Sequence, residues 1–401
     1  MSEVVATYYF RPKEGITPDW AAKAIADEQT TGTWTSISTG TDYMKYLDGT
    51  VESLQKEGTG YITEISYPNE IFEIGNIPQY FSVLAGNLFG LSKIAAVRLL
   101  DVDFSKAVIP FKGPCFGIEG IRQIIGTTQS GRPHVGTIIK PKVGLNPKDT
   151  AEVAYQAAIG GVDLIKDDET LTNQTFCLMQ ERLPLVMERL DQVKSDTGRT
   201  VLYAVNVSTA GDRIVERAEE AVQLGANMVM IDAIVCGLDA VRVVAEDAQV
   251  PVPIHVHRTM HGAITRNREH GIAMRPYCRF IRMLGGDQLH TGSVSGKMDH
   301  DTNELLKDNM ALTGSFYGLN DTFPVASGGL HPGGVATELQ TLGTDIILQA
   351  GGGIHGHPDG TAAGARAMRQ AVDAFMEGIS PEVYAESHDE LRKAFATWGR
   401  S

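Results

Sequence analysis

A chain of 401 residues is too long for one ordinary domain unless an α/β barrel, which alone takes ~250 residues, accounts for most of it. With 42% hydrophobic and 21% charged residues it has ample material for a core, which excludes a disordered chain, a collagen or a disulfide scaffold. The 49 acidic residues against 35 basic ones leave a net charge of -14, which argues against nucleic acid or an anionic membrane surface as the partner.

Residues 1–15 show neither the basic start nor the apolar run of a secretory signal, and no apolar run approaches the ~18 residues of a membrane span. Cys115, Cys177, Cys236 and Cys278 fit no zinc or redox spacing. They read as buried free thiols, so a cytoplasmic protein is expected. Strand-like runs at 4–10, 61–67 and 95–102 alternate with helical runs at 20–28 and 79–89, which predicts a small α+β, ferredoxin-like domain over 1–107. A Gly113-Pro114 breaker then marks a junction, and the rhythm changes. Eight apolar, β-branched runs follow, at 135–140, 162–166, 201–207, 228–232, 253–257, 288–292, 323–327 and 346–350. Each ends in polar or glycine residues and is followed by a helical segment. This alternation predicts parallel strands with helical crossovers, hence an α/β chain whose residues 108–401 form a (β/α)8 TIM barrel. A doubly wound open sheet is the competing architecture, but no GxGxxG follows the first run.

Catalytic residues of such a barrel stand at the C-terminal ends of its strands. The first run ends in Lys140-Pro141-Lys142 and the second in Lys166-Asp167-Asp168-Glu169. The fifth ends in His255-Val256-His257-Arg258, and the sixth in His290-Thr291-Gly292, with Lys297 in the loop beyond. The last two end in Ser327-Gly328-Gly329 and Gly351-Gly352-Gly353. Side chains two apart on a strand share a face, so Lys140 and Lys142 are expected to point together, as are Lys166 and Asp168. Singly, each has a plainer reading. A strand-end lysine is usually an ion-pair partner, a KDDE run a solvated turn, and a GGG run a tight turn. His255 reads as a satisfied structural histidine, and His355 and His357 as loop residues rather than ligands. Jointly they converge on one rim. Asp168 and Glu169 offer hard oxygens that suit Mg2+, although two carboxylates leave an octahedral shell short. Glycine turns after the last two strands suit a phosphate, and the Arg258 fork suits a second. Lysines beside a metal suit acid–base work. The pattern points to enolisation of a phosphorylated sugar on a divalent metal.

The motifs GTIIKPKVGL from Gly136, GGVDLIKDDE from Gly160, HVHRTMH from His255, DQLHTGSVSGKM from Asp287, PVASGGLHPG from Pro324 and LQAGGGIHGHPDG from Leu348 carry a resemblance. So do EQTTGTW from Glu28 and GNLFG from Gly86. In order and spacing the sequence resembles the large subunit of ribulose-1,5-bisphosphate carboxylase/oxygenase (RuBisCO), in the pattern of the archaeal form III members. The resemblance implies that CO2 adds to Lys166 as a carbamate, which joins Asp168 and Glu169 in holding Mg2+. It implies that Lys140 is the acid–base residue supported by Lys142, that His257 lies near the substrate hydroxyls, and that Arg258 and His290 bind phosphate. It makes Lys297 the loop lysine beside the carboxylated intermediate, and Ser327, Gly328, Gly329, Gly351 and Gly352 contacts to substrate hydroxyls and phosphate. Glu28, Thr33, Trp34 and Asn87 match residues supplied by a neighbouring subunit, which implies a homodimer or a multiple of dimers, with no small subunit expected. The implied substrates are ribulose 1,5-bisphosphate and CO2. Met298-Asp299-His300 departs from the family's Leu or Met followed by Glu-Gly, and Ile138 replaces the threonine of plant enzymes. A RuBisCO-like enolase, isomerase or decarboxylase acting on another phosphorylated ketose is the alternative.

Overall fold

The computed structural model describes residues 3–33, 35, 37–296 and 301–400. In chain order the elements are β1 (Val4–Pro12), α1 (Pro18–Glu28), β2 (Thr50–Glu57), β3 (Gly60–Tyr67), α2 (Ile77–Ala85), β4 (Ile94–Asp103) and α3 (Gly117–Ile125). Then come β5 (His134–Ile138), α4 (Pro147–Gly160), β6 (Leu164–Lys166), α5 (Met179–Thr197), β7 (Leu202–Asn206), α6 (Ile214–Gln223), β8 (Met228–Asp232), α7 (Ala233–Cys236), α8 (Asp239–Ala245) and β9 (Ile254–His257). The chain continues with α9 (Gly262–Thr265), β10 (Gly271–Ile272), α10 (Met274–Met283), β11 (Gln288–His290), α11 (Thr302–Thr313), β12 (Phe323–Ser327), α12 (Val335–Leu342) and β13 (Ile347–Gln349). It closes on α13 (Gly352–His355), α14 (Thr361–Met376), α15 (Pro381–Glu386) and α16 (Asp389–Trp398). Two compact units result: Met1–Lys112 with Met260–Met283, and Gly113–Thr259 with Leu284–Ser401.

The first unit is a five-stranded sheet in the order β10-β4-β1-β3-β2. α1 starts where Thr17 accepts from Trp20 N and Pro18 fills the first turn. It buries Ala21, Ala22, Ile25 and Ala26, a stripe at helical spacing. The sequence reading passed over β2. Its segment, TVESLQKE, is too polar to read as a strand, and it is an edge strand paired only through β3, from Thr50↔Ser66 to Glu57↔Gly60. The helix expected over 79–89 ends at Ala85, because Gly86 leaves helical geometry and a separate turn covers Asn87–Gly90. The fifth crossover carries more than the single helix expected, and it belongs to this unit. β10 pairs with β4, Phe280 stacks on Phe81 at 4.3 Å, and Arg279 donates to Asp101.

The second unit is the expected closed barrel, β11-β12-β13-β5-β6-β7-β8-β9, with every pairing parallel. All eight predicted runs are strands. Alternation at period two divides each strand between the barrel interior and the helices. Towards the N-terminal end the interior is apolar: Leu164, Leu202, Met228, Phe323 and Ile347 cluster with Ile121 of α3, which plugs that end. Each such side chain contributes about 1.5–3 kcal/mol by leaving water. Two to four residues further along four of these strands stand Lys166, Asn206, Asp232 and Ser327, and His257 and His290 end the strands β9 and β11. The side chains that line the barrel interior are thus apolar towards the N-terminal end and polar towards the other, and the polar end is where chemistry can be placed. Of the cysteines, Cys177 and Cys278 are buried as expected, whereas Cys115 is exposed and Cys236 half-buried. Among the described residues, no helix is long and apolar enough to cross a membrane.

Candidate active site

β6 is only three residues long and ends on Lys166, which is 1% exposed. Its Nζ donates to the carbonyl of Asp167 at 2.9 Å. Burial pushes this amine down to about 8, while Glu169, Asp168 and Asp232 pull the other way. Asp168 is equally buried; its Oδ2 accepts from Lys140 Nζ at 2.6 Å and its Oδ1 from Thr170 Oγ1 at 2.9 Å. Glu169 Oε1 accepts from Lys142 Nζ at 2.8 Å. Burial opposes ionisation of Glu169, but the hydrogen bond from Lys142 and the charge of Lys166 outweigh it and hold the carboxyl well below its ordinary value. The two loop lysines do not share a strand face as expected, because β5 stops at Ile138. They converge because the two carboxylates on the neighbouring strand end attract them.

His257 lies on the other side of this group. Its Nδ1 is 3.3 Å from Asp232 Oδ1 and its Nε2 is 3.9 Å from Glu169 Oε2. Burial first, and the charge of Lys166 second, push the imidazole down to about 4, so it is neutral at physiological pH. Among the described residues no group of three His, Cys, Asp or Glu side chains is disposed to hold a metal. Two adjacent carboxylates with a buried amine of lowered pKa fit Mg2+ once that amine carries an oxygen-bearing group, since the donors are then all hard oxygens. The chemistry of the donor set therefore agrees with the implied metal.

Asp167, between Lys166 and Asp168 just past the end of β6, points the opposite way and went unread in the sequence. It accepts from Arg182 Nη2 at 2.9 Å, from the Tyr203 hydroxyl and from Asn206 N at 3.0 Å. Arg182 also donates to the carbonyls of Cys177 and Thr172, stitching the loop that follows Glu169. Asn206 Nδ2 reaches the carbonyl of Glu169 at 3.3 Å. The available signal was the alternation itself: if Lys166 and Asp168 face inward, a carboxylate between them needs partners on the helix side. Glu338, fully buried, was likewise missed. It accepts from Val294 N at 3.0 Å and Ser295 N at 2.6 Å, fixing the start of the loop that leads to Lys297.

On the far side of the rim, Gly328 and Gly329 have φ of 118° and 106°, a backbone that other residues rarely adopt. A Cβ on Gly351 would stand 3.3 Å from Lys140 Cε, so the glycine turn after β13 approaches the first-strand lysine closely. Gly352 opens α13. Arg258 is buried, and His290 Nδ1 lies 2.7 Å from Ser327 Oγ. His355 donates from Nε2 to the carbonyl of Ile138 at 2.9 Å and so supports the strand end. In the first unit Glu28 and Thr33 line a cleft of about 290 Å3 with Trp20, Lys23 and Lys93, and Asn87 opens the turn after α2, exposed. Trp34 and Lys297 lie outside the described residues.

The family model described as ribulose bisphosphate carboxylase large chain, catalytic domain, matches residues 117–398, and the one for the N-terminal domain of that chain matches residues 1–108. The chain is 42% identical over 399 residues to the ribulose bisphosphate carboxylase of Pyrococcus abyssi, covering 99% of this chain and 93% of that one. It is 42% identical over 398 residues to that of Methanocaldococcus jannaschii, covering 94% and 93%. Among solved structures it is similar to the octameric enzyme of Pyrococcus horikoshii, at TM-score 0.93 and 41% identity over 99% of this chain and 94% of that one. It is also similar to the dimeric archaeal RuBisCO of Hyperthermus butylicus, at TM-score 0.91 and 37% identity over 100% and 96%. With both family models and full-length relatives in agreement, the chain belongs to the ribulose bisphosphate carboxylase large-chain family.

Proposed function

We propose that this chain is a ribulose-1,5-bisphosphate carboxylase, which enolises ribulose 1,5-bisphosphate, adds CO2 at C2, and hydrates and cleaves the product to two 3-phosphoglycerates. The observation that carries the reading is Lys166, a buried amine of lowered pKa near the carboxylates of Asp168 and Glu169 on the barrel rim. Its neutral form attacks CO2, forming an N–C bond and releasing one proton. The carbamate so formed, with Asp168 and Glu169, would hold Mg2+. When bound, that ion supplies Lewis-acid polarisation of the substrate's carbonyl and hydroxyl oxygens.

The remaining work belongs to side chains. Lys140 moves the C3 proton and returns one at the final step, with Lys142 in support; both are kept at the rim by the carboxylates they pair with. Neutral His257 meets the substrate hydroxyls. Arg258, His290 and the glycine turns at Gly328, Gly329, Gly351 and Gly352 grip the two phosphates, and Ser327 meets a hydroxyl. Lys297 is assigned the carboxylate formed at C2. Glu28, Thr33, Trp34 and Asn87 are assigned to the site of a second copy, so the working unit is a homodimer or a multiple of dimers without a small subunit. Residues 1–107 then act as the lending domain and 108–401 as the catalytic barrel of a cytoplasmic enzyme.

The test is incubation with ribulose bisphosphate, Mg2+ and 14CO2. Acid-stable label in 3-phosphoglycerate is expected. Exchange of the substrate C3 proton with solvent but no fixed label would assign the chain instead to the enolase-type relatives, the reading that Met298-Asp299-His300 favours.

A further inference from the structure

Four buried polar groups form a single line inside the barrel, beneath the phosphate grips. Gln288 Oε1 is 2.7 Å from His255 Nδ1, His255 Nε2 is 2.8 Å from His290 Nε2, and His290 Nδ1 is 2.7 Å from Ser327 Oγ. Gln288, His255 and His290 are at most 2% exposed. Both ring nitrogens of both histidines are engaged. Burial and neighbouring positive charge push His255 down to about 3 and His290 well below its ordinary value, so each ring carries one proton.

In a chain of neutral rings an acceptor-only group at one end fixes every donor along it. An amide oxygen can only accept. Gln288 Oε1 therefore puts the proton of His255 on Nδ1 and leaves its Nε2 as an acceptor. His290 must then donate from Nε2, which makes its Nδ1 an acceptor, and the hydroxyl proton of Ser327 is drawn down into the chain. What Ser327 Oγ has left for the mouth of the barrel is lone pairs.

We infer that Gln288 and His255 are positioning residues that set the polarity of Ser327, so that its oxygen meets the substrate as a hydrogen-bond acceptor. The inference rests on the proposed reaction only for the partner, a hydroxyl group of the sugar bisphosphate. A Ser327 of the opposite polarity would donate and would suit a carbonyl or phosphate oxygen instead. Gln288 opens β11 two residues before His290, and its orientation reaches Ser327 through two rings.

The experiment is 15N spectroscopy of the substrate-free protein labelled in its histidine rings, with signals assigned from single His255→Asn and His290→Asn variants. Pyrrole-type nitrogen at Nδ1 of His255 and at Nε2 of His290 is expected. The reverse pattern, which follows if the amide is turned over and Nε2 donates, overturns the inference. Gln288→Met, which removes the acceptor, should turn His255 into a mixture of tautomers and lower kcat/KM for ribulose bisphosphate by about tenfold, the scale of one buried hydrogen bond. Gln288→Glu keeps an acceptor and should keep the native tautomer of His255. A Gln288→Met protein with unchanged tautomers would also overturn the inference. Because the spectra need no substrate, a protein that fixes no CO2 yet shows the expected tautomers would sink the proposed reaction and leave the polarity standing.

Discussion

At the N-terminal end of the barrel, Asp163 accepts from both Nη atoms of Arg132, at 2.8 and 2.7 Å, and from Arg369 at 3.1 Å. At the C-terminal end, Asp168 and Glu169 receive Lys140 and Lys142. Both ends are rich in charge, so charge density does not tell them apart. The difference lies in what the partners are. Arginine forks are planar, permanently charged and bidentate, and the remaining lone pairs of Asp163 meet Val135 N at 2.9 Å. Asp287, also at this end, accepts from Phe116 N, Gly117 N and Ile254 N. These sites are closed. The rim uses lysines on long flexible stems, which under the proposed function would release a carboxylate to a metal and a proton to a substrate. A saturated carboxylate supports the fold, and an exchangeable one supports chemistry.

The sharpest way to break this contrast is one substitution at each end. Lys166→Ala should reduce CO2 fixation on the order of 10³-fold or more, the scale of losing several kcal/mol of metal stabilisation. Its urea midpoint should be equal to or above that of the parent, because a buried amine held below its ordinary pKa is removed. Asp163→Asn should do the opposite. It leaves the half-buried Arg132 and Arg369 without the buried carboxylate that pairs them and should cost about 3–5 kcal/mol in urea unfolding, while fixation per folded molecule stays near normal. Burial raises the pKa of Asp163, but Arg369 and Arg132 win and hold it far below the usual carboxylate range. Its stabilisation is therefore present above the unfolded pKa of ~3.9 and lost as pH falls below it, and the variant should lack that acid-side slope. An Asp163→Asn protein with normal stability and lost activity would erase the distinction between the ends.

How far the sequence reveals this depends on which signals are local. The eight barrel strands were legible because each is a short apolar run cut off by polar or glycine residues, and Lys166, Asp168 and Glu169 because they follow such a run directly. β2 was not, since Thr50–Glu57 is polar on both faces and is a strand only by virtue of β3. The place of Lys140 was legible, but its route was not. It reaches Asp168 from a loop, 28 residues away in sequence, and no periodicity describes a loop. Arg182, Tyr203 and Glu338 were invisible for a different reason. Arg182 and Glu338 sit in helices, where an isolated polar residue reads as surface, and Tyr203 sits inside an apolar run; only the fold places their polar groups, buried, against Asp167 and against the backbone of Val294 and Ser295. The residues assigned to the partner copy, Glu28, Thr33, Trp34 and Asn87, rest on the resemblance alone, since nothing in a single chain's pattern says which residues a second copy lends.

A smaller effect sharpens the rim side. Under the proposed function only the neutral Lys166 amine would attack CO2, and burial brings its pKa down to about 8 from the ordinary 10.5. At fixed dissolved CO2 and Mg2+, the rate of activation should rise about tenfold per pH unit up to about 8 and flatten above it. Stopped aliquots assayed at one common pH separate activation from turnover. A rise that continues unbroken towards pH 10 would mean the amine is not desolvated in the working enzyme, and the rim would then resemble an ordinary surface ion-pair cluster.

The smallest expected effect lies between the two ends. Asp167 belongs to the rim by sequence but is bound like the closed sites, by Arg182, Tyr203 and a backbone N–H. Tyr203→Phe removes one donor and leaves the other two. The buried carboxylate loses one hydrogen bond, which should cost about 1–2 kcal/mol of stability. Asp167 also carries the backbone that aims Lys166 and Asp168 in opposite directions from it, and a partner one shell out from a metal typically matters ~10-fold in affinity. The Mg2+ concentration for half-maximal activation should therefore rise by several-fold up to about tenfold, with kcat at saturating Mg2+ little changed. Loss of stability with unaltered Mg2+ dependence would place Asp167 wholly with the closed end of the barrel. Altered Mg2+ dependence would show that the rim's exchangeable groups are aimed by a site that does not exchange.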